Sequence, residues 1–118
     1  MHVRFIVAAA LLVSACASQP ASPPSTGPDA FSLAQDQALA LGEVLGDVEV
    51  CDGDAGWQPP FHEFMAAKRK RGLDRGQTAM IATLVGTAQY RSDPASIDCS
   101  DETRSKRIAA LEQLRVQW

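Results

Sequence analysis

SLAQDQALALGEVLGDVEVC, residues 32–51, is the stretch that decides the fold. Its apolar side chains recur every three or four residues, which is the period of an α-helix. Ser32 followed by Gln35 resembles a capping box, so we expect the helix to begin at Ser32. A stripe of small residues, Ala38, Gly42 and Gly46, predicts close packing against another element. The apolar face predicted for this helix comprises Leu33, Ala34, Ala38, Leu41, Val44, Leu45 and Val48.

Three further helices are predicted downstream, after a turn at Asp52–Gly56. Pro59 and Pro60 suit the first turn of the second helix. Asp74 suits the N-cap of the third helix, and Ser100 begins the fourth. No run of residues has sustained strand alternation, so the sequence predicts an all-α domain over residues 31–118, a small bundle of about four helices. The core positions predicted for these three helices are Trp57, Phe61, Phe64, Met65, Met80, Ile81, Leu84, Val85, Ala88, Ile108, Leu111, Leu114 and Trp118.

The first fifteen residues are typical of an export signal. Arg4 supplies a positive charge, and the apolar run at residues 5–13 is far shorter than the roughly 20 residues that span a bilayer. Val13-Ser14-Ala15-Cys16 resembles a bacterial lipobox, in which small residues admit the peptidase and the cysteine thiol takes a diacylglycerol. The resemblance implies a signal peptide at residues 1–15 and a lipidated Cys16. A plain secretory signal and a cytosolic N-terminal helix are the alternatives.

Residues 16–30 are predicted to carry the lipid and to form a tether. The stretch Ala17–Pro28 is rich in proline and serine, a composition typical of an extended linker that packs no core. Lipoproteins retained at the inner membrane often have aspartate directly after the cysteine, whereas this chain has Ala17. By resemblance, this favours a periplasm-facing anchor in the outer membrane over one in the inner membrane.

The chain has three cysteines. With Cys16 assigned to the lipid, Cys51 and Cys99 remain as an even pair in an oxidising compartment. We expect a disulfide that ties the end of the first helix to the start of the fourth. A metal pair and a reactive thiol are the alternatives, but His62 is the only histidine outside the predicted signal peptide, so metal ligands are few.

The net charge of the chain argues against two classes of partner. Formal net charge is −3, and loss of Arg4 with the signal makes it −4. A mildly acidic chain is a poor candidate for nucleic-acid binding and for adsorption to anionic lipid through charge alone. One basic patch is a candidate contact for anionic headgroups, lipopolysaccharide or an acidic partner, with a solvated helix end as the alternative. Its residues are Lys68, Arg69, Lys70, Arg71 and Arg75.

The stretch Leu41–Cys51, followed by Trp57, Tyr90-Arg91 and Cys99, resembles a group of small exported helical proteins of unknown function from alphaproteobacteria. In that group, a helix ends at a cysteine, a tryptophan-containing helix follows, and a third helix ends in Tyr-Arg before a second cysteine. The resemblance covers most of the mature domain. The resemblance implies a helical fold with paired cysteines. It implies no particular activity, because the group has none that is known.

No catalytic motif is found in the sequence. His62-Glu63 begins like a zinc-protease signature but lacks the second histidine. We therefore expect no metal, no cofactor and no small-molecule ligand. The leading hypothesis is a non-enzymatic, envelope-anchored lipoprotein that binds a protein or supports an envelope assembly. The alternative is a periplasmic holdase resembling the small helical single-disulfide acid chaperones, because acidic residues are numerous. A hydrolase or other enzyme is the third hypothesis.

Overall fold

The computed structural model describes residues 28–118, and this part of the chain contains four α-helices and no strand. The helices are α1 (Pro28–Asp52), α2 (Asp54–Lys70), α3 (Arg75–Tyr90) and α4 (Asp101–Arg115), with a short 3-10 turn at Pro94–Ser96. The all-α prediction is confirmed. The predicted signal peptide, Cys16 and the predicted tether up to residue 27 lie outside the described residues.

Helix α1 contacts each of the other three helices, and its largest interface is with α3. Gln35 contacts Met80, and Glu49 lies against Gln89, so α1 and α3 run in the same direction. The other two helices run in the opposite direction. Gln37, early in α1, is close to Lys68 of α2 and to the main chain of Gln117, just after α4. Asp52, at the end of α1, lies beside Gly56 of α2 and accepts from Arg104 of α4. Helix α1 takes part in the three largest interfaces, and the smaller contact between α2 and α3 is the only further one of comparable kind among the described helices, so burial of α1 dominates the arrangement of the bundle.

The core contains the residues that helical periodicity places on the inner faces. The largest fully buried side chains are Phe64, Leu41, Leu45, Ile81 and Val85. Three apolar residues predicted to be buried are exposed instead, and the prediction is wrong for them. Leu33, Met80 and Ile108 expose 56%, 51% and 55% of their surface because each lies at the edge of the arc that faces the neighbouring helices.

The predicted start of α1 is also wrong. The helix begins at Pro28, four residues before Ser32, and residues 28–30 of the predicted tether are helical. Proline is well suited to the first helical position, since its fixed φ matches the helix and its missing N–H would have had no helical partner there. Ser32 is therefore an exposed residue inside the helix rather than its cap.

The predicted turn between α1 and α2 is confined to one residue. Gly53 has φ of 66°, a left-handed conformation that favours glycine, and its N–H donates to the carbonyl of Glu49 at 2.8 Å. Helix α2 begins directly afterwards, so Pro59 and Pro60 lie inside this helix and not in its first turn, contrary to the sequence prediction. Both prolines lack the N–H that would continue the helical ladder.

The caps of the last two helices agree with the sequence. The Asp74 carboxylate accepts from the Gln77 N–H at 2.8 Å, and the Gln77 side chain accepts from the Asp74 N–H at 3.0 Å. This reciprocal pair is a capping box. The hydroxyl of Ser100 accepts from the N–H of Thr103 at 3.4 Å and caps α4. The turn before α3 is thereby fixed, and this turn carries part of the predicted basic patch.

The small-residue stripe of α1 is the surface on which α3 packs. A Cβ added to Gly42 would lie 2.5 Å from the Val85 carbonyl oxygen and 2.6 Å from the Cβ of Ala88. Those separations are far below van der Waals contact, so only glycine permits this approach. The close packing predicted from Ala38, Gly42 and Gly46 is confirmed, with α3 as the partner.

Candidate functional site

The basic patch predicted from sequence is divided by the fold. Lys68 is 4% exposed and is not part of the surface, contrary to the prediction. Its ammonium donates to the Gln37 side-chain oxygen and lies 5.3 Å from the centroid of the Phe64 ring. Burial, together with the nearby charge of Arg71, holds the pKa of Lys68 below its ordinary value. Lys68 is therefore a core residue and is not accessible to a partner.

The other four cations of the patch lie on the surface, and we call them the basic end: Arg69, Lys70, Arg71 and Arg75. Among residues 28–118, none of the four forms an ion pair with an Asp or Glu side chain. Arg71 donates to the main-chain oxygen of Trp118. The indole of Trp118 packs edge-on against Phe64, with 5.4 Å between ring centroids.

The basic end lies level with the beginning of α1. Lys68 contacts Gln37, and α2 continues from there towards the first turns of α1. Arg75 precedes Met80 by five residues, and Met80 contacts Gln35. Since α1 and α3 run in the same direction, Arg75 lies beside the first turns of α1. The four cations thus lie at the end of the bundle where α1 begins, on the end of α2 and the start of α3.

A groove lies at the opposite end of the bundle, where α1 and α3 end. It encloses about 590 Å³, and we call it the distal groove. Tyr90 at its edge is 91% exposed, and Val50 exposes 37% of its surface. The walls are held by Gln89, which donates to Glu49 at 2.7 Å. The residues that line the groove are Gly46, Glu49, Val50, Gln89, Tyr90, Ser92, Asp93 and Pro94.

The paired cysteines lie close to this groove. Cys51 and Cys99 form a disulfide with 5.5 Å between their Cα atoms, which joins the end of α1 to the residues before α4. The predicted pairing is therefore found in the structure. Arg107, 8% exposed, donates to the carbonyl of Asp98 at 2.9 Å and approaches the Cys51 sulfur at 3.2 Å. The disulfide and Arg107 together hold the start of α4 against α1.

Sequence reasoning missed Arg107 as a structural residue. A signal was available, because Arg107, Leu111 and Leu114 follow each other at spacings of four and three and share one face of α4.

The Asp98 carboxylate accepts from the backbone N–H of Ser100 at 2.8 Å and from the Thr103 hydroxyl at 2.9 Å. The Ser100 backbone hydrogen bond is the main cause that lowers the pKa of Asp98. Asp98 therefore stays ionised and organises the start of α4.

The described residues contain no cluster of metal-binding side chains. His62 is exposed, and no three His, Cys, Asp or Glu side chains within residues 28–118 meet in an arrangement that would hold a metal ion. None of the helices in this part of the chain combines the length and apolar character needed to cross a membrane. Compared with protein-family models, with curated proteins and with solved structures, the chain matches none of them.

Proposed function

We propose that this chain is a non-enzymatic lipoprotein of the bacterial cell envelope, which is anchored through lipid on Cys16 and binds another protein through the distal groove. The anchor is supported by the lipobox-like sequence Val13-Ser14-Ala15-Cys16. Binding of a protein is supported by the exposed apolar groups at the distal groove of the folded domain. The outer membrane is the favoured site because Ala17, and not aspartate, follows the cysteine.

The exposed aromatic side chain at the distal groove carries the proposal. Tyr90 is 91% exposed, although tyrosine has a large apolar ring. Tyrosine is enriched among the residues that contribute most to protein interfaces, because it buries much area at a low cost in conformational entropy. Val50 and Pro94 extend the apolar surface beside Tyr90. A partner that covers these groups would remove them from water.

The charge around the groove indicates the chemistry of the partner. Glu49 and Asp93 are exposed carboxylates among the lining residues. Complementary charge guides association and selects among partners. We therefore expect the partner to present an apolar side chain flanked by lysine or arginine.

Photo-crosslinking in intact cells tests the proposal. A photoreactive phenylalanine analogue replaces Tyr90, and crosslinked products are purified and identified by mass spectrometry. Met80 is the matched control position, because it is also an exposed apolar residue of α3, at 51% exposure, but lies far from the groove. We expect one stoichiometric envelope protein from position 90 and none from position 80.

Three other outcomes would contradict parts of the proposal. Equal products from both positions would exclude the groove as the binding surface. Many unrelated clients that appear only after acidification would favour the holdase hypothesis and turn attention to Trp57, Phe61 and Phe64.

Intact-mass measurement of the membrane-extracted chain tests the anchor separately, and an unmodified Cys16 would overturn it.

A further inference from the structure

We propose that the basic end contacts anionic lipid headgroups of the membrane in which Cys16 is anchored, so that the domain stands with its distal groove pointing away from the bilayer. The proposal rests on the lipid anchor of the proposed function. It adds a second, electrostatic contact and a fixed orientation. Its partner is a lipid surface, recognised through phosphate groups.

Charge is separated along the bundle. At the end where α1 begins and α4 ends, residues 28–37, 66–77 and 112–118 contain six cations, including the buried Lys68, and four carboxylate side chains. The carboxylate next to the exposed cations is that of Asp74. That carboxylate is engaged by the Gln77 N–H in the cap of α3. The opposite end, residues 47–54 and 91–107, contains eight carboxylates and four cations. The chain as a whole therefore has a negative net charge, but the side chains at the end where α1 begins have a positive one.

Distance makes the two ends electrostatically independent. About twenty residues of α1 separate the level of Arg75 from Glu49, which is about 30 Å at 1.5 Å per residue. The Debye length at physiological ionic strength is about 8 Å. A membrane surface beside Arg69 and Arg75 therefore attracts the basic end without significant repulsion from the acidic end. The poor adsorption to anionic lipid that is expected from the net charge therefore does not apply when the basic end faces the membrane.

Three of the four cations have no hydrogen-bond or ion-pair partner among the described residues. Arg69, Lys70 and Arg75 are exposed and pair with no Asp or Glu side chain in residues 28–118, whereas Arg71, also exposed, donates to the Trp118 main-chain oxygen. By contrast, Arg104 and Lys106 at the acidic end pair with Asp52 and Glu102. Phosphate contacts at the basic end would replace water and not an existing ion pair.

The basic end also lies close to Cys16 along the chain. Pro28 is twelve positions after Cys16, and α1 begins beside the four cations. Twelve residues reach at most about 40 Å even when fully extended. A lipid on Cys16 would thus hold the basic end within reach of headgroups and raise their effective concentration. A few weak ionic contacts are then sufficient to orient the domain.

Energy transfer from tryptophan to headgroup-labelled lipid measures this orientation. The full lipidated chain is reconstituted in phosphatidylglycerol vesicles that carry a dansyl-labelled headgroup, as the variants Trp57→Phe and Trp118→Phe. The first retains Trp118, near the basic end, and the second retains Trp57, near the acidic end. We expect transfer from Trp118 to exceed transfer from Trp57, because the Trp118 indole packs on Phe64, about 10 Å further along α2 towards the basic end. The difference should vanish in phosphatidylcholine vesicles and at 1 M salt, where the Debye length is about 3 Å.

A matched pair of charge variants tests the residues. Arg69→Gln with Arg75→Gln should shift the orientation equilibrium about thirty-fold towards the free state, the effect expected of two cations near an anionic surface. The control, Arg91→Gln with Lys106→Gln, has the same net charge but changes the acidic end, and it should leave the orientation unchanged. Far-UV circular dichroism verifies that all variants keep their helices.

The outcomes separate this proposal from the anchor. A lipidated chain in which both tryptophans transfer equally would overturn the orientation and leave the anchor standing. A Cys16→Ser chain that still transfers selectively from Trp118 would show that the basic end contacts lipid without the anchor, and an unmodified Cys16 in the membrane-extracted chain would overturn the anchor alone. Loss of selectivity in both charge variants would assign the effect to net charge and would refute a specific role for the basic end.

Discussion

At the scale of single residues, the most unusual feature is the ammonium group of Lys68 inside the domain. Gln37 accepts its hydrogen bond, and the Gln37 amide nitrogen donates in turn to the Gln117 carbonyl at 2.8 Å. Because burial lowers the pKa of Lys68, the folded state binds this proton less tightly than the unfolded chain does. The sign follows directly: this group's contribution to the free energy of unfolding rises as pH increases through the folded pKa towards 10.5.

Replacing Gln37 with leucine should destabilise the domain by roughly 2 to 3 kcal/mol, because it leaves the Lys68 ammonium buried without an acceptor. Adding Lys68→Met should restore most of that loss, since an apolar pair leaves no unpaired charge. Urea denaturation measures both free energies of unfolding. Gln35→Leu on the same helix is the control, with an expected change below about 0.5 kcal/mol. Additive losses in the double variant would show that the two residues act independently.

The residue scale also marks the limit of the sequence prediction. Four cations follow each other at positions 68–71, and this run indicated a single basic surface. Helical periodicity carried the opposite information for Lys68, which follows Phe64 by four residues and therefore shares its buried face. Gln37 and Arg107 are likewise polar residues at the spacing of a buried face, and they were missed because polar residues are expected on the surface. Periodicity can place such a residue on an inner face, but its hydrogen-bond partners come from other elements and cannot be identified from the sequence.

At the scale of helices, the glycine stripe of α1 controls how closely α3 approaches. Gly42→Ala should lower the free energy of unfolding by about 1 to 3 kcal/mol, because the new methyl would overlap the Val85 carbonyl and the Ala88 side chain. Gly86→Ala is the matched control. Its Cβ would have no neighbour within 4 Å, so this variant should be more stable by up to about 1 kcal/mol. Thermal unfolding measures both, and equal effects would refute the close contact.

The two capping-box sequences show what local patterns predict. Asp74 with Gln77 forms the capping box that the sequence indicates. Ser32 with Gln35 has a similar pattern but lies inside α1, because Pro28 allows the helix to begin earlier. A capping residue competes with every upstream residue that can also start the helix. Before Asp74, the left-handed Gly72 at φ 97° ends α2 and leaves no such competitor.

At the scale of the whole molecule, the disulfide is the main covalent constraint. Reduction, or Cys51→Ser with Cys99→Ser, should lower the free energy of unfolding by about 4 kcal/mol in the chain-entropy account, because the bond closes a 48-residue separation. The midpoint of thermal unfolding should fall by roughly 20 °C for a domain of this size. Cys16→Ser is the control and should not change the midpoint. A reductant-insensitive midpoint would contradict a stabilising role.

The distal groove could not have been predicted from the sequence. Its walls come from the end of α1, the end of α3 and the residues after α3, which are separated by about forty positions. Periodicity describes each helix alone and gives no register between helices. The fold class and the cysteine pair depend on patterns within short segments or on the number of cysteines, so the sequence predicted both.

The contact between α1 and α3 has a consequence for synthesis. Gly42 leaves the ribosome 43 residues before Val85, which covers it in the folded domain. At 5 to 20 residues per second, that interval is roughly 2 to 9 seconds. Throughout this time the apolar face of α1, including Leu41 and Leu45, has only α2 to pack against. The nascent chain therefore passes through a stage in which part of the apolar face of its central helix is exposed to water.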